Sequence, residues 1–340
     1  MKKNIVVVGL GRIGWLLEND KYRYHPCTHV GSILALKNRL NLVAGCDIDT
    51  ERLTSFEQFI GQNQTKKSKG QLALFKSVDE LCAAIGKELL PPVDVAVLAT
   101  GPESHLDLFR KLLKSGVREF LIEKPISLDA KMAGQMLRLC QKYNAMVRVN
   151  FERRYHEKYR QIKTIIESNR FGALRYIEGR VLAPSLRRDA LLEDAVHWID
   201  LLLMYCGEPK SVTSSFRKDR RGLAKGSLHV FHYSDFDAVL ESGGMRRYFE
   251  FAMRLDFERG RVIASNEGHL YFESRPSKRY QGFYDLQPLL ISQKKATTSN
   301  PWLVMYREIA DSSPIYQTNS SSLTEAVRGI KLIDRCRQSI

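Results

Sequence analysis

The sequence predicts an α/β protein in which a doubly wound parallel sheet is followed by an α+β domain with a largely antiparallel, open sheet. Through the first part of the chain, short apolar runs alternate with helical segments, as they do where crossover helices join parallel strands. In the later part, strand-like runs follow one another with only turn residues between them, and such neighbours usually pair antiparallel. A chain of 340 residues is long enough for two domains, which we predict at residues 1–125 and 126–340.

The composition excludes several classes of protein. Hydrophobic residues make up 44% of the chain and charged residues 27%, which is normal for a soluble globular protein. The N-terminal apolar run breaks at glycines, and no run reaches the ~20 residues that cross a bilayer. We therefore expect a cytoplasmic protein with no membrane partner. The six cysteines are scattered, without a CxxC pair or zinc-like spacing, so neither a disulfide framework nor a structural zinc is predicted.

The net charge of +15 leaves more than one interpretation open. Most of the excess lies in the second part of the chain, where RKDRRGLAK (217–225) is the densest run. A solvated loop is the simplest interpretation of this run, and an anionic substrate is the second. A nucleic-acid-binding protein is a further alternative that rests on charge alone and predicts strongly salt-dependent DNA retention. We expect no nucleic-acid partner.

The alternating region is predicted from the ends of its elements as well as from their apolar runs. IVVV stops at Gly9, as a buried parallel strand does, and Ser77 with Glu80 three residues later forms a capping-box pattern that begins a helix. The predicted strands are 4–8, 41–50, 94–100, 119–125 and 145–155. The predicted helices are 30–38, 103–116 and 128–144, with a strand end and a helix within 75–85.

The second domain is predicted to begin with a helix and to continue as a sheet. FEFAMRLDF (249–257) alternates apolar and polar residues, which allows one covered face. We expect a homo-oligomer that forms through this sheet. The amphipathic helix 323–338 closes the chain, and we expect it to pack back on the first domain. The remaining predicted elements are the helix 159–171 and the strands 174–182, 211–218, 227–234, 237–244, 248–266 and 269–275.

A glycine motif follows the first predicted strand and is predicted to open a helix. It reads Gly9-Leu10-Gly11-Arg12-Ile13-Gly14. In a Rossmann-type sheet the three glycines permit a tight turn, the approach of a pyrophosphate to the backbone, and close packing of helix and strand. The next strand ends in Asp47, whose carboxylate would accept hydrogen bonds from ribose hydroxyls and repel a 2′-phosphate. We therefore predict NAD, with NADP less favoured. The long spacing from the glycines to Asp47 predicts an insertion around residues 15–29.

Two further features are candidates for catalysis. Lys124 follows a predicted strand in IEKP, at the edge where open α/β sheets bind ligands, and its ammonium group can polarise a substrate oxygen. His197 lies between Asp194 and Asp200 in LLEDAVHWIDLL. On a helix, Asp194 would share a face with His197 and hold its imidazole in one tautomer. In isolation, an exposed loop lysine and a structural histidine are the simpler interpretations of these residues.

The motifs GLGRIG, ATGPESH, IEKPIS and DAVHWID occur in the order that is typical of the Gfo/Idh/MocA oxidoreductases, the group of glucose-fructose oxidoreductase and inositol dehydrogenase. The resemblance covers nearly the whole chain and is not specific for a substrate. It implies that Lys124 bridges substrate and nicotinamide and that Asp194 and His197 form the acid and histidine pair. The cofactor-binding positions it implies are Gly9, Gly11, Arg12, Ile13, Gly14, Asp47, Thr100, Pro102, His105, Glu123 and Lys124. The predicted insertion resembles a segment with a Thr-His-x-Gly element in some members.

Some assignments stay open at this point. Glu193 lies four residues before His197, the spacing that other family members use for the acid, so either Glu193 or Asp194 can orient the histidine. Substrate-binding positions are predicted at Asp194, His197 and Arg154, although ordinary surface arginines are an equal alternative for the pair 153–154. The remaining histidines form no HExxH-like set, and no metal is predicted.

The sequence thus predicts an NAD(P)-dependent oxidoreductase of carbohydrate metabolism that transfers a hydride between nicotinamide and a carbinol carbon. The expected substrate is a small sugar-like molecule: a sugar, a cyclitol or a sugar nucleotide. One alternative is a redox-neutral, NAD-dependent glycosidase-type enzyme. Another is a sugar-responsive regulator that binds NAD without turnover. Steady accumulation of NADH separates the dehydrogenase from both alternatives.

Overall fold

The computed structural model describes the chain in segments that fall into two compact units. The first unit is Met1–Tyr155 with Ser299–Val327, and the second is His156–Thr298 with Arg328–Ile340. The boundary lies later than the predicted residue 125, because the strand at Met146–Val149 pairs with Glu119–Ile122 in the first sheet. The described residues are 2–63, 72–184, 189–218, 220, 224–244, 246–289, 300–311 and 321–338.

Strands and helices alternate through the first unit, and strands dominate the second. The strands are β1 Lys3–Val8, β2 Leu40–Cys46, β3 Ala73–Phe75, β4 Val95–Leu98, β5 Glu119–Ile122, β6 Met146–Val149, β7 Leu174–Leu182, β8 Ser211–Lys218, β9 Ala224–His232, β10 Asp237–Gly243, β11 Glu250–Phe257, β12 Gly260–Ser265, β13 Gly268–Pro276, β14 Tyr284–Pro288 and β15 Ser321–Ser322. The helices are α1 His29–Ala35, α2 Thr50–Asn63, α3 Val78–Gly86, α4 Pro102–Lys114, α5 Ala130–Lys142, α6 Glu157–Glu167, α7 Ala190–Glu193, α8 Val196–Cys206, α9 Pro301–Asp311 and α10 Leu323–Gln338.

The sheet of the first unit has the order β15-β6-β5-β4-β1-β2-β3. β1 to β6 pair in parallel, and β15 pairs antiparallel with β6 at the edge. The order 3-2-1-4-5-6 within it is that of the Rossmann fold, in which ligands bind outside the carboxyl ends of the strands where the order reverses. This confirms the predicted doubly wound sheet.

The first helix is interrupted, which differs from the prediction that the glycine motif opens it directly. The chain makes one helical turn, in which the amide of Trp15 donates to the carbonyl of Gly11, and continues as a 3-10 turn at Leu16–Asn19. Helix α1 begins only at His29, whose amide donates to the carbonyl of Ile13. The predicted insertion is therefore a loop between this first helical turn and α1. After the loop, α1 continues the hydrogen bonding of the first turn, through the bond from His29 to Ile13.

The sheet of the second unit has the order β14-β13-β12-β11-β7-β10-β9-β8. Its neighbours pair antiparallel, apart from the parallel pair of β7 and β10, which confirms a largely antiparallel sheet. β11 alternates buried and partly exposed residues as predicted. Gly179 of β7 lies where α8 packs, since a Cβ atom there would collide with the indole of Trp198. One sheet face is thus covered by helix.

Helices α2 and α9 and strands β14 and β15 were not predicted. β14 extends the edge of the second sheet, and α9 contributes Trp302, Met305 and Tyr306 to the core of the first unit. Helix α10 has the predicted bounds and begins with a capping box, in which the amide of Glu325 donates to Ser322 Oγ and the amide of Ser322 donates to Glu325 Oε2. It starts in the first unit and ends in the second. None of the helices in the described segments is both long and apolar enough to cross a membrane.

Candidate active site

The glycine motif forms a tight turn at the carboxyl end of β1. Gly9 has φ +95°, and a Cβ atom there would lie 2.6 Å from the carbonyl oxygen of Ala99. A Cβ atom at Gly14 would collide with the carbonyl oxygen of Gly9, whereas one at Gly11 would find its nearest neighbour, Arg52 Nη1, 3.9 Å away. Two glycines are therefore required by the turn itself, and the third leaves the backbone open to an approaching group. This arrangement fits a pyrophosphate against the turn.

Asp47 lies directly after β2 and is joined to the glycine turn. Its Oδ2 accepts the amide of Leu10 at 2.7 Å, and its Oδ1 accepts the amide of Asp49 at 2.9 Å. Arg52 Nη1 lies 3.6 Å from Oδ2. The sequence did not single out Arg52, although a basic residue soon after a strand-end acid is the available signal. A carboxylate and a guanidinium thus stand side by side where Rossmann folds bind the ribose of the cofactor.

The side chain of His105 holds the backbone of the loop that follows β4. Its Nε2 lies 3.0 Å from the carbonyl oxygen of Thr100, and its Nδ1 lies 3.1 Å from that of Ile126. The ring has no exposed surface, and burial lowers the pKa of the imidazole. His105 therefore holds the loop, and its predicted contact with the cofactor stays a prediction. Thr100 accepts a hydrogen bond from Ser104, and Pro102 begins α4.

Lys124 and Glu123 follow β5 at the carboxyl edge of the first sheet. The Glu123 carboxylate is buried and accepts hydrogen bonds from Nε2 of His29 at 2.9 Å, from the side-chain amide of Asn150, and from the amide of Lys124 at 3.3 Å. Burial opposes ionisation of Glu123, but the hydrogen bond and charge of His29, with help from Asn150 and Lys124, lower its pKa. A carboxylate fixed in this way holds the backbone from which the lysine side chain extends.

The histidine on Glu123 comes from the insertion, as part of the Thr-His-x-Gly element. His29 is fully buried at the first position of α1, and its Nδ1 lies 2.7 Å from the hydroxyl oxygen of Tyr306 in α9. Burial raises the pKa of Tyr306, so the phenol remains a donor. Thr28 caps α1 by accepting the amide of Gly31 at 3.1 Å. Tyr306, His29 and Glu123 form a buried chain of hydrogen bonds, and sequence reasoning missed Tyr306 because it missed α9.

Among the described residues, the insertion contains three that could offer a metal ligand: Glu18, His25 and Cys27. Their potential ligand atoms lie within 4.8 Å of one another. Glu18 already accepts the amide of Cys27 and the hydroxyl of Thr28, each at 2.8 Å, through Oε1. Burial raises the pKa of the Cys27 thiol to about 11, and the thiol donates to the carbonyl of Leu17. These hydrogen bonds hold the insertion in place.

The segment after β6 carries two further charged residues of the first unit. Arg154 is buried, and its Nη1 donates to Glu325 Oε1 at 2.8 Å. The predicted contact of Arg154 with substrate stays a prediction. Burial is the largest influence on Glu152 and raises the pKa of its carboxyl, against the lowering effects of Arg153 and Lys124. Glu152 was not predicted, although it stands in FERRY beside both arginines.

The second unit contains the predicted acid and histidine. Helix α7 ends at Glu193 with Asp194 as its C-cap, and α8 begins after Ala195. His197 is buried in the first turn of α8. The continuous helix expected across LLEDAVHWIDLL is therefore broken between Asp194 and His197, and their regular spacing on one face does not apply. The choice between Glu193 and Asp194 as the partner of His197 stays a prediction.

Part of the chain is similar in sequence to known oxidoreductases. Residues 3–151 match the oxidoreductase family with an NAD-binding Rossmann fold, Gfo/Idh/MocA. The UDP-N-acetylglucosamine 3-dehydrogenase of Acidithiobacillus ferrooxidans is 30% identical over 129 residues, which are 36% of this chain and 40% of that protein. The inositol 2-dehydrogenase of Rhizobium meliloti is 26% identical over 137 residues, 38% of this chain and 41% of that protein. The matches thus span well under two thirds of these relatives.

Solved structures align with the whole chain. The WlbA dehydrogenase of Bordetella pertussis, solved with NADH and UDP-GlcNAcA, gives a TM-score of 0.74 at 18% identity and covers 100% of this chain and 96% of its own. The A. ferrooxidans enzyme gives 0.70 at 19% identity, covering 100% and 98%. At such identities the likeness shows the fold alone. Over residues 3–151 the chain is thus similar to the Gfo/Idh/MocA oxidoreductases, the oxidoreductase family with an NAD-binding Rossmann fold.

Proposed function

We propose that this protein is an NAD-dependent oxidoreductase that transfers a hydride between nicotinamide and a carbinol carbon of a sugar, a cyclitol or a sugar nucleotide. The observation that carries the proposal is the position of Lys124. It follows β5 at the carboxyl edge of the parallel sheet, in the same unit as the open glycine turn, and Glu123 beside it is held by His29 and Asn150. A lysine kept on so constrained a backbone is suited to a reacting oxygen.

The residues divide the work as follows. The nicotinamide supplies the hydride acceptor or donor when it is bound. Lys124 would donate a hydrogen bond to the substrate oxygen and stabilise it as it becomes a carbonyl. His197 would take the hydroxyl proton in the oxidation direction, and Asp194 or Glu193 would orient its imidazole. Thr100 and Pro102 would line the cofactor, since their loop follows β4 at the same edge of the sheet.

We propose NAD as the cofactor because Asp47 would accept hydrogen bonds from ribose hydroxyls and would repel a 2′-phosphate. Arg12 and Ile13, in the glycine turn, are proposed to lie along the pyrophosphate and the nicotinamide side of the cofactor. Arg52 is the feature that favours NADP, since a guanidinium next to the ribose site can accept a 2′-phosphate. The carboxylate lies closer to the turn, through its hydrogen bond with Leu10.

We also propose that the protein forms a homo-oligomer through the second sheet. On the face opposite the helices, β11 presents its partly exposed residues, including Arg254 and Asp256, between Glu178 of β7 and Arg261 of β12. Ion pairs that run across strands can pair with the same pattern in a second copy. Sedimentation velocity should show a dimer or larger species, and a monomer at micromolar concentration would contradict this part of the proposal.

The activity is tested by incubating sugars, inositols and nucleotide sugars with NAD and with NADP and following the nicotinamide absorbance. Lys124→Met and His197→Gln should each lower kcat/KM by about 10²-fold or more, the scale of general acid–base catalysis. Unchanged turnover in both variants would refute the assigned roles. Redox-neutral turnover without NADH accumulation would favour the glycosidase-type reaction. NAD binding without any turnover would favour a regulator.

A further inference from the structure

A cationic cavity lies at the ends of the strands β8, β9 and β10 in the second unit. Its volume is about 210 Å³. Three cationic side chains line it, Arg217 at the end of β8, Lys225 at the start of β9, and Arg246 after β10. Glu241 of β10 is the carboxylate among the described lining residues. Arg217 and Lys225, at the two ends of the predicted basic run 217–225, thus line a defined cavity, whereas residues 219 and 221–223 of the run lie outside the described residues.

Glu241 orients the arginines without neutralising the cavity. Its Oε1 lies 3.2 Å from Nη2 of Arg246 and 3.7 Å from Nη2 of Arg217, and its Oε2 lies 3.9 Å from Nε of Arg180 on β7. The described lining contains three cationic side chains, Arg217, Lys225 and Arg246, and one carboxylate, so it carries an excess of positive charge. Guanidinium groups that a carboxylate holds in place are suited to bind a phosphate or a second carboxylate through paired hydrogen bonds.

The floor of the cavity is made by glycines where β9 and β10 meet. Gly226 and Gly243 are opposite each other in the register of the two strands. A Cβ atom on Gly243 would lie 2.8 Å from Gly226 Cα and from the carbonyl oxygen of Lys225. Side chains are therefore excluded from this end of the strand pair. The missing side chains leave the cationic groups facing open space.

A second cavity connects this site to the helix before His197. It has a volume of about 130 Å³ and shares Gly226, Ser242, Gly243 and Gly244 with the first. Asp189, Ala190 and Leu191, at the start of α7, form its other wall. α7 ends at its C-cap, Asp194, and its four residues advance only about 6 Å along the helix axis. A ligand held by the cations would thus extend toward the proposed acid and base.

We propose that the cationic cavity binds an oxyanion of the substrate. The substrate class follows: a sugar or cyclitol that carries a phosphate, a diphosphate or a carboxylate. The inference that the anion belongs to the substrate rests on the proposed function. The anion site itself does not depend on that function. It also gives Arg217 and Lys225 of the run 217–225 a small anionic ligand, because a cavity of about 210 Å³ admits a phosphate group and not a nucleic-acid duplex.

Direct binding is measured with inorganic pyrophosphate by isothermal titration calorimetry on the full-length protein. Lys225→Gln and Arg246→Gln should each weaken pyrophosphate binding about tenfold or more, since each removes a charge-assisted contact. Arg275→Gln is the control, because Arg275 is an exposed arginine of β13 that pairs with Glu273 away from the cavity. Equal binding in all three variants would overturn the proposal, as would displacement of pyrophosphate by a duplex DNA oligonucleotide. Lys225 is exposed, so its replacement is not expected to disturb folding.

The substrate class is measured by kinetics on matched pairs of a neutral sugar with its 6-phosphate, its uronate and its nucleotide diphosphate derivative. The anionic member should have the higher kcat/KM, and Lys225→Gln should raise its KM at least tenfold, a much larger change than for the neutral sugar, whereas Arg275→Gln should leave both substrates unchanged. The member with the largest effect identifies the anion. Equal effects on neutral and anionic substrates would refute the substrate assignment. Loss of pyrophosphate binding in a protein that oxidises none of these compounds would support the anion site and refute the proposed function.

Discussion

At the residue scale, Glu123 shows how a buried charge depends on its neighbours. The carboxylate is buried at the edge of the first sheet, and His29 supplies one of its donors. His29→Ala should lower the free energy of unfolding by about 3–5 kcal/mol, because removing one partner of a buried pair leaves an uncompensated charge. Urea unfolding at pH 7 measures the loss. His25→Ala, at a partly exposed histidine of the same insertion, is the matched control and should cost less than ~1 kcal/mol.

Cofactor choice is also decided by single residues. Asp47→Asn keeps an oxygen for the amide of Leu10 but removes the charge that would repel a 2′-phosphate. The ratio of NADP to NAD affinity should rise at least tenfold, corresponding to ~1.4 kcal/mol, with Arg52 available to the phosphate. Calorimetric titration of both cofactors measures the ratio. A ratio that stays at the wild-type value would show that Asp47 does not contact the ribose.

The sequence predicted where the site residues lie better than it predicted the role of each residue. The glycines, Asp47 and Lys124 stand at strand ends because the alternating pattern fixes where each strand stops. Arg154 and His105 resembled exposed functional groups in the sequence, yet both are buried, because burial depends on the packing of distant segments such as Glu325 against Arg154. His29 was noticed as part of an element, but its partner Tyr306 lies 277 residues away in the chain. Partners so remote leave no local signal.

At the element scale, two glycines before the interrupted first helix have different roles. Gly14 is needed for folding, whereas Gly11 leaves space for the cofactor. Gly14→Ala places a methyl group against the carbonyl of Gly9 and should lower the free energy of unfolding by about 1–3 kcal/mol, the usual range for overpacking. Gly11→Ala meets nothing closer than 3.9 Å, so folding should be preserved while the methyl group obstructs the pyrophosphate. Thermal unfolding and NAD titration of both variants test this. Full NAD affinity in a folded Gly11→Ala protein would contradict a pyrophosphate at this turn.

The missed elements have different causes. In α9, Trp302, Met305, Tyr306 and Ile309 are buried at helical spacing, so the signal for this helix was present in the sequence. β14 alternates exposed and partly exposed residues at a sheet edge, and no apolar pattern marks it. The break between α7 and α8 cannot be recognised from the spacing of apolar residues. Asp194 and Ala195 keep helical backbone angles, and only the hydrogen bonding changes.

At the scale of the whole molecule, each unit has its own buried polar network. In the first unit the network ends at Glu123, and in the second it is centred on His229 of β9. Nδ1 and Nε2 of His229 each lie 2.8 Å from a serine, Ser214 and Ser227 respectively. His232, three residues later, is partly exposed and pairs with Asp237. Ser227 and Ser242 also line the smaller cavity, so this network borders the proposed substrate site.

His229 should therefore make the second unit sensitive to acid. Burial lowers its pKa to about 4, whereas an unfolded histidine titrates near ~6.5. Between these values the unfolded chain binds a proton that the folded chain does not, so stability is complete above about pH 6.5 and falls as the pH falls toward 4. At pH 5 the expected loss from this residue is about 2 kcal/mol.

The measurement requires a signal from the second unit alone. Trp198 packs near Phe231 on the same strand as His229, with ring centroids 5.9 Å apart, and the chain has three tryptophans. Replacing Trp15 and Trp302, which lie in the first unit, by Phe leaves Trp198 as the reporter for urea unfolding between pH 8 and 5. His229→Gln should remove most of the acid-induced loss, and His232→Gln should retain it. If both variants lose stability with acid as the parent does, His229 is not the group that titrates.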